Sequence, residues 1–182
     1  MRKALYLLAA INDRDFEWLL KIGRRTPVPA GEALITEGRR IDALYVVLRG
    51  TFAIFTEATG EQEIAHISMG EVLGEISFVD ARPPSATVKA VEDSLVWAIP
   101  RTVLTQKLSQ DAIFASHFYQ AIATFLSERL RKTVVRLGQP DLTLDDPDDD
   151  EDDLNPQLLN KLDLAKVRLE WLCSQNTSNV AP

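Results

Sequence analysis

Residues 74–90 read Gly74-Glu-Ile-Ser-Phe-Val-Asp-Ala-Arg-Pro-Pro-Ser-Ala-Thr-Val-Lys-Ala90, and we call this segment the cassette. Its first glycine allows the backbone to turn closely. The short helical turn predicted after it presents unpaired N–H groups at a helix end that favours negative charge. The segment therefore has the pattern of a loop that receives a phosphate or another small anion.

The cassette lies inside a β-rich stretch of the chain. From residue 28 to 99, short apolar runs alternate with regularly spaced glycines, which is typical of a small all-β barrel or sandwich. The clearest predicted strands are residues 43–48, 51–55, 64–67 and 94–99. The pair Thr59-Gly60 predicts a hairpin between two of these strands.

Helical patterns flank the β-rich stretch. Residues 4–11 predict an amphipathic first helix and not a signal peptide, because no small-residue cleavage site follows them. Asn12 can cap a second helical pattern. After Pro100 we predict a short helix over 101–108 and a long helix over 111–137.

The long helix carries an apolar stripe. Its members recur three to five residues apart and include Phe114, Phe118, Ile122, Phe125 and Leu130. Because this stripe exceeds what a helix leaving a small barrel can bury on its own, we predict that the helix pairs two chains in a homodimer.

Charge divides the chain into two parts. Residues 1–140 hold 17 Lys+Arg and 16 Asp+Glu, whereas residues 141–182 hold 3 and 11. We predict a solvated acidic linker over 139–154, an amphipathic terminal helix over 155–173 and a disordered tail over 174–182. The terminal helix needs a docking site for its apolar residues, and we predict a protein partner that contacts Leu158, Leu159, Leu162 and Trp171.

Composition excludes several functional classes. Cys173 is the single cysteine, so neither an internal disulfide nor a cysteine metal cluster can form. No apolar run is long enough to span a membrane, and we expect a cytoplasmic protein. The acidic tail would repel DNA. We find no catalytic or metal-binding constellation and expect a protein that is not an enzyme.

From about residue 11 to 138, the chain resembles the cyclic-nucleotide-binding domain shared by the catabolite activator protein, kinase regulatory subunits and cyclic-nucleotide-gated channels. Residues 29–38, 44–50 and 70–75 match that family's strands and turns. The resemblance implies an α+β fold in which an antiparallel β-roll, a jelly-roll-like barrel, is flanked by an N-terminal helix and C-terminal helices. It implies one such domain over 1–138.

The resemblance also implies a ligand site. Glu75 would accept hydrogen bonds from a ribose 2′-hydroxyl, while the Ala86 N–H and the Thr87 hydroxyl and N–H would meet a cyclic phosphate. Plainer interpretations are that Glu75 caps the helical turn and that Thr87 is an ordinary strand residue. The full candidate set is Gly74, Glu75, Ile76, Ser77, Arg82, Ser85, Ala86 and Thr87.

One position departs from the family pattern. The family places a phosphate-clamping arginine two residues before the alanine of the Ala-Thr pair, and this chain has Pro84 there. Losing one partner of a buried charge pair typically costs about 2 to 5 kcal/mol. Arg82 could reach the site in its place, or the two following prolines could direct it to solvent.

Two hypotheses about function follow. The first is a regulatory sensor that takes a cyclic nucleotide as its ligand and needs no other cofactor. The second is an assembly or adaptor protein whose ligand binding is weak, altered or lost, and Pro84 favours it. Residues 74–88 also resemble a largely cyanobacterial group associated with bacteriocin-type transport, which implies a partner in a transport system. We expect no helix-turn-helix.

Overall fold

A computed structural model of the chain describes residues 4–60, 62–138 and 156–174. The helices are α1 (Ala4–Ala10), α2 (Asp13–Ile22), α3 (Ile76–Val79), α4 (Arg101–Gln110), α5 (Ala112–Gly138) and α6 (Pro156–Ser174). The strands are β1 (Arg24–Val28), β2 (Ala33–Ile35), β3 (Ala43–Arg49), β4 (Phe52–Phe55), β5 (Glu63–Ile67), β6 (Val72–Leu73), β7 (Thr87–Ala90) and β8 (Ser94–Pro100).

The strands form two antiparallel sheets of four strands each, in the orders β1-β8-β3-β6 and β2-β7-β4-β5. The predicted α+β fold with an antiparallel β-roll is confirmed, although the roll is open and not a closed barrel. All four predicted strands are present. Thr59 and Gly60 lie in the predicted hairpin, where Gly60 takes a φ of 65° between β4 and β5.

Strand β1 was not predicted from the sequence. β1 pairs with β8 in a register that places Pro27 opposite Leu95. A proline removes a ladder donor and suggests the end of an element, yet β1 is the edge strand of its sheet and needs donors on one side only. Strand pairing at an edge therefore tolerates Pro27.

Two apolar cores hold the fold together. One lies between the sheets and includes Val47, Phe52 and Val96, which are fully buried. The other lies between the helices and the outer side of β3 and β8, where Leu44 and Ile99 are buried. A cavity opens from the first core, beside the cassette. The helices that could respond to a ligand in that cavity belong to the second core.

The prediction of an amphipathic first helix was wrong. Residues 4–9 of α1 are all buried, because α5 and α6 pack on α1 and the chain continues directly into α2. A helix that is apolar on every side is expected where other elements surround it. The predicted cap of the next helix is confirmed, since the Asp15 N–H donates to Asn12 Oδ1 at 2.8 Å.

The terminal helix finds its docking site within the same chain. Leu162, Leu169 and Leu172 of α6 are buried in the helical core. Arg168, which is 3% exposed, donates to the carbonyl oxygens of Leu8 and Ile11. The apolar face of α6 is thus already occupied, although Trp171 remains 40% exposed. The side chains of Leu158 and Leu159 lie outside the described residues.

Most of the apolar stripe on α5 is buried within one chain, so it does not need a second chain to cover it. Phe114, Phe118, Ile122 and Phe125 are at most 1% exposed within a single chain. Trp18 of α2 and Phe78 of α3 make edge contacts to Phe114 and Phe118 respectively, and residues of α1 belong to the same core. Two members of the predicted stripe are exposed, Leu130 at 64% and Val134 at 59%. The homodimer stays a prediction that now depends on the distal half of α5.

The predicted acidic linker over 139–154 and the tail after residue 174 lie outside the described residues. Among the helices that are described, none is long and apolar enough to cross a membrane.

Candidate functional site

A cavity of about 240 Å³ opens between the cassette and the interior of the β-roll. Its walls are mainly aliphatic, and its rim carries the few polar groups. It is lined by Ile35, Ile54, Ile67, Val72, Leu73, Gly74, Glu75, Ile76, Ser77, Asp80, Arg82, Pro83, Pro84, Ser85, Ala86 and Val88. The structure therefore brings seven of the eight candidate site residues to one cavity.

Gly74 is required where the chain enters the cassette. Its φ is +86°, a conformation that L side chains rarely adopt. A Cβ there would also lie 2.6 Å from Ile41 Cδ1 and 3.2 Å from the Ala43 carbonyl oxygen. Any other residue at position 74 would therefore be strained and would also clash with its neighbours. The turn places Glu75 at the start of α3.

Glu75 is a buried acidic residue in the cavity wall, with 3% of its surface exposed. It takes helical backbone angles at the start of α3, yet its side chain makes no capping hydrogen bond to that helix. The interpretation of Glu75 as a helix cap is thus wrong. A buried carboxylate on a cavity wall can accept hydrogen bonds from ligand hydroxyl or amino groups.

Arg82 lies at the rim and is held by a neighbouring acid. The Arg82 side chain is 83% exposed, and its Nε lies 3.8 Å from Asp80 Oδ2. The Arg82 N–H also donates to Asp80 Oδ1 at 3.0 Å. Ala81 between them has a φ of 58°, the only positive φ among the described residues other than glycine. Asp80 thus keeps Arg82 turned toward solvent.

The two prolines shape the wall that follows Arg82. Pro83 and Pro84 both line the cavity, and the Pro84 carbonyl accepts a hydrogen bond from Gly38 at 2.9 Å. Neither residue has a backbone N–H. This part of the cassette therefore offers aliphatic surface and no backbone donor.

Thr87 is the candidate that the structure does not bring to the cavity. Its Oγ1 accepts a hydrogen bond from the Glu37 N–H at 3.0 Å. Its backbone pairs with Phe55 in the ladder between β7 and β4. The Thr87 hydroxyl thus stabilises the turn after β2, which is a structural role that an ordinary strand residue can have. Ser85 and Ala86, in contrast, line the cavity.

Comparison with known proteins identifies this architecture. The model of the cyclic nucleotide-binding domain family matches residues 25–111, which include the whole cassette and both sheets. The chain therefore contains a cyclic nucleotide-binding domain over these residues. The matched segment ends where α5 begins, so the family accounts for the β-roll, the cavity and α4.

Relatives of this domain occur in proteins of different kinds. An NTE family protein of Mycobacterium tuberculosis is 30% identical over 131 residues, which are 71% of this chain and 22% of that protein. A cAMP-dependent protein kinase regulatory subunit of Blastocladiella emersonii is 31% identical over 125 residues, 68% of this chain and 30% of that one. The chain thus spans less than a third of the length of either protein.

A solved structure shows the same fold. The catabolite activator protein of Thermus thermophilus superposes with a TM-score of 0.59 and 27% identity, covering 73% of this chain and 62% of that one. The predicted resemblance to the catabolite activator protein is confirmed. Association with bacteriocin-type transport stays a prediction.

Sequence reasoning missed one residue beside the cavity. The Arg101 guanidinium, at the start of α4, donates to the Ser77 carbonyl at 2.5 Å and lies over the Phe78 ring, 4.4 Å from its centroid. Phe78 in turn meets Phe118 of α5 edge-on, with 6.3 Å between ring centroids. No local pattern marks Arg101, because its partners are about 24 residues away along the chain.

The described residues contain no group of three His, Cys, Asp or Glu side chains that could hold a metal ion. His66 lies at the surface, with its Nδ1 2.8 Å from Glu63 Oε1. The Nδ1 of His117 is buried without a hydrogen-bond partner, on α5 and away from the residues that line the cavity.

Proposed function

We propose that the chain is a non-catalytic regulatory or adaptor protein in which the occupancy of the cyclic nucleotide-binding cavity acts on the C-terminal helices. Cyclic nucleotide binding is weak, altered or lost, because Pro84 replaces the clamping arginine of the family pattern. Assembly with itself and with protein partners then carries the function. A component of a bacteriocin-type transport system is one candidate partner, on the resemblance of residues 74–88 alone.

The observation that supports regulation is the contact of α3 with α4 and α5. Ser77 lines the cavity, and its carbonyl is bonded to Arg101. Phe78 packs between Arg101 and Phe118. A ligand that moves α3 must therefore move or break these contacts. A ligand shifts such an equilibrium only as far as it prefers one arrangement over the other.

The affinity for cyclic nucleotides follows from the missing charge pair. A bidentate arginine–phosphate pair is charge-assisted and geometrically specific. Without it we expect a loss of roughly 30-fold to several-thousand-fold in affinity, from a cost of about 2 to 5 kcal/mol. Micromolar binding would become millimolar.

Calorimetric titration of cyclic AMP and cyclic GMP into the wild type and Glu75→Ala tests the proposal. We expect heat only at millimolar nucleotide or none. Hydrogen exchange of α4 and α5, compared with and without ligand, tests the coupling. Protection changes on those helices support regulation, and occupancy that leaves them unchanged contradicts it.

A second candidate function is a genuine cyclic AMP or cyclic GMP sensor that uses Glu75, Thr87 and Arg82. The observation in its favour is that Arg82 lines the cavity rim. Micromolar binding that both Glu75→Ala and Arg82→Ala abolish would establish this function. Such binding requires Arg82 to leave Asp80 and turn inward.

The relatives do not extend the proposal to catalysis. The matched part is 22% of the NTE family protein, so what the rest of that protein does has no counterpart in the aligned residues. The candidate site consists of aliphatic walls with the polar residues Glu75, Ser77, Asp80, Arg82 and Ser85.

A further inference from the structure

We infer that Arg39 and Arg40, in the turn between β2 and β3, supply the positive charge that holds a phosphate-bearing ligand at the mouth of the cavity. We call these two residues the arginine pair. The inference rests on the proposed function and specifies how its altered site binds an anion. Neither arginine belongs to the cassette or lines the cavity. The position of the turn, the two free side chains and the engagement of Arg82 support it.

The turn contacts the cassette at two separate points. On one side of the arginine pair, the Gly38 N–H donates to the Pro84 carbonyl at 2.9 Å. On the other side, Ile41 packs so closely against Gly74 that a Cβ on this glycine would lie 2.6 Å from Ile41 Cδ1. Pro84 and Gly74 both line the cavity. Consecutive Cα atoms are about 3.8 Å apart, so the backbone of the arginine pair runs beside the cavity between these two contacts.

Further hydrogen bonds hold this turn in place. The Glu37 N–H donates to Thr87 Oγ1 at 3.0 Å, and the Arg39 N–H donates to the Thr36 carbonyl at 3.2 Å. Gly38 takes a φ of +71°, which lets the chain turn sharply. The backbone of the arginine pair is therefore positioned in advance, and only its side chains need to move when a ligand enters.

The side chains of the arginine pair are available to a ligand. Both residues are exposed, and neither side chain forms an ion pair or a hydrogen bond with any other residue that the structure describes. This includes Glu37 and Asp42, the acids that flank the pair in sequence. Glu37 Oε2 instead accepts the Glu57 N–H at 2.8 Å. A guanidinium without a protein partner can direct its N–H groups at a phosphate.

Arg82, the basic residue that does line the cavity, is less available than the arginine pair. Its Nε lies 3.8 Å from Asp80 Oδ2, and its backbone N–H donates to Asp80 Oδ1 at 3.0 Å. An anion that bound Arg82 would have to approach the Asp80 carboxylate. The arginine pair offers two positive charges without an acid to displace.

The test is a titration of the full chain with cyclic AMP and with adenosine, which lacks the phosphate. The wild type is compared with the double variant Arg39→Ala and Arg40→Ala. We expect the affinity for cyclic AMP to fall ten-fold or more, while the affinity for adenosine changes by less than about three-fold. Equal losses for the two ligands, or no loss for cyclic AMP, would overturn the inference. So would a wild type that binds no cyclic AMP at millimolar concentration.

A matched control removes the same two charges elsewhere. Arg24 is the first residue of β1 and Arg49 the last of β3, and both are exposed and do not line the cavity. Arg24→Ala with Arg49→Ala should keep the cyclic AMP affinity within about three-fold of the wild type. Added salt should weaken cyclic AMP binding more in this control than in the arginine-pair variant, because salt screens exposed cations. Equal losses in the two double variants would overturn the inference, because net charge alone would then explain them.

Hydrogen exchange separates this inference from the proposed function. If the arginine-pair variant loses cyclic AMP affinity but cyclic AMP leaves α4 and α5 of the wild type unchanged, the arginine pair is right and regulation is wrong. If cyclic AMP changes those helices and binds the variant as tightly as the wild type, regulation is right and the arginine pair is wrong. Arg82→Ala should change the affinity by less than about three-fold. A ten-fold loss in that variant would make Arg82 the clamp and overturn the inference.

Discussion

The Nη2 atom of Arg101 lies 2.5 Å from the carbonyl oxygen of Ser77. This hydrogen bond joins the first residue of α4 to the short helix that forms one wall of the cavity. Since Phe78 also packs beneath the same guanidinium, one side chain holds the cassette against the helical layer. The effect of such contacts on stability can be measured without knowing the ligand.

Arg101→Ala should lower the free energy of unfolding by about 2 kcal/mol, from a charged hydrogen bond and a cation–π contact that are both lost. Thr102→Ala, at the exposed neighbouring position of α4, is the control and should change little. Urea unfolding measures both. If the two variants unfold alike, Arg101 does not hold α3 to α4.

Gly74→Ala should destabilise the fold by about 1 to 3 kcal/mol, because a side chain at φ +86° is strained and meets Ile41. Gly38→Ala separates the two causes. Gly38 also has a positive φ, +71°, but a Cβ there meets nothing within 4 Å. Thermal unfolding should rank Gly74→Ala as the worse variant, and the reverse order would show that packing at Ile41 is unimportant.

Arg168→Ala should cost about 2 to 4 kcal/mol, since it leaves the buried carbonyls of Leu8 and Ile11 without their donor. Hydrogen exchange of α1 and α6 should rise together. Lys166→Ala on the exposed side of α6 provides the matched control. Faster exchange of α6 alone would contradict the view that Arg168 ties the two helices.

Asp111 predicts a pH effect. A hydrogen bond from Lys107 and another from the Phe114 N–H hold the pKa of Asp111 below its ordinary value of 3.8. The carboxylate therefore stabilises the fold above pH 3.8, and this contribution is lost as pH falls through the lower folded pKa. The hydrogen bond to Asp111 also raises the pKa of Lys107 above 10.5, so its contribution is complete below that pH and is lost as pH rises further.

Asp111→Asn keeps a capping oxygen and removes the charge. We expect it to be less stable than the wild type at neutral pH and equally stable at a pH below the folded pKa of Asp111. In a Lys107→Met background the gap should be smaller. Urea unfolding across the acidic range measures it, and a gap that is constant with pH would contradict the assigned pKa shift.

The homodimer is tested through the exposed part of α5. Leu130 and Val134 are 64% and 59% exposed and lie one turn apart. We expect sedimentation at tens of micromolar to report twice the 20.3 kDa chain mass, and Leu130→Glu with Val134→Glu to give monomer. Ile113→Glu, at the opposite end of the helix, should remain dimeric. A monomeric wild type would refute the pairing.

The fold could be predicted because local patterns and the family resemblance agreed. Strand alternation, glycine turns and the Asn12 cap are local signals, and each was correct in the structure. β1 was not predicted because Pro27 is a strong local signal against a strand. The edge position of β1 in its sheet allows the strand to form in spite of this proline. The burial of α1 depends on α5 and α6, which pack on it from far along the chain, and no local pattern predicts that contact.

The candidate site was predictable to a similar extent. The cassette residues were found because their chemistry and spacing are contiguous in sequence. The direction of Arg82 depends on Asp80 and on the unusual backbone of Ala81, and the role of Arg101 depends on a contact between distant elements. The spacing of residues along the sequence does not predict tertiary contacts of this kind.

The contact between Arg168 and the first helix also determines when α1 can become fully buried during folding. As the chain is synthesised, α1 appears first, but its buried surface is completed only when α6 has been made, some 150 residues later. Contacts of such long sequence separation form slowly. A fragment cut at the limits of the matched domain, 25–111, would lack both helices and leave Leu44 and Ile99 uncovered. Expression of that fragment alone would therefore present an apolar layer to solvent.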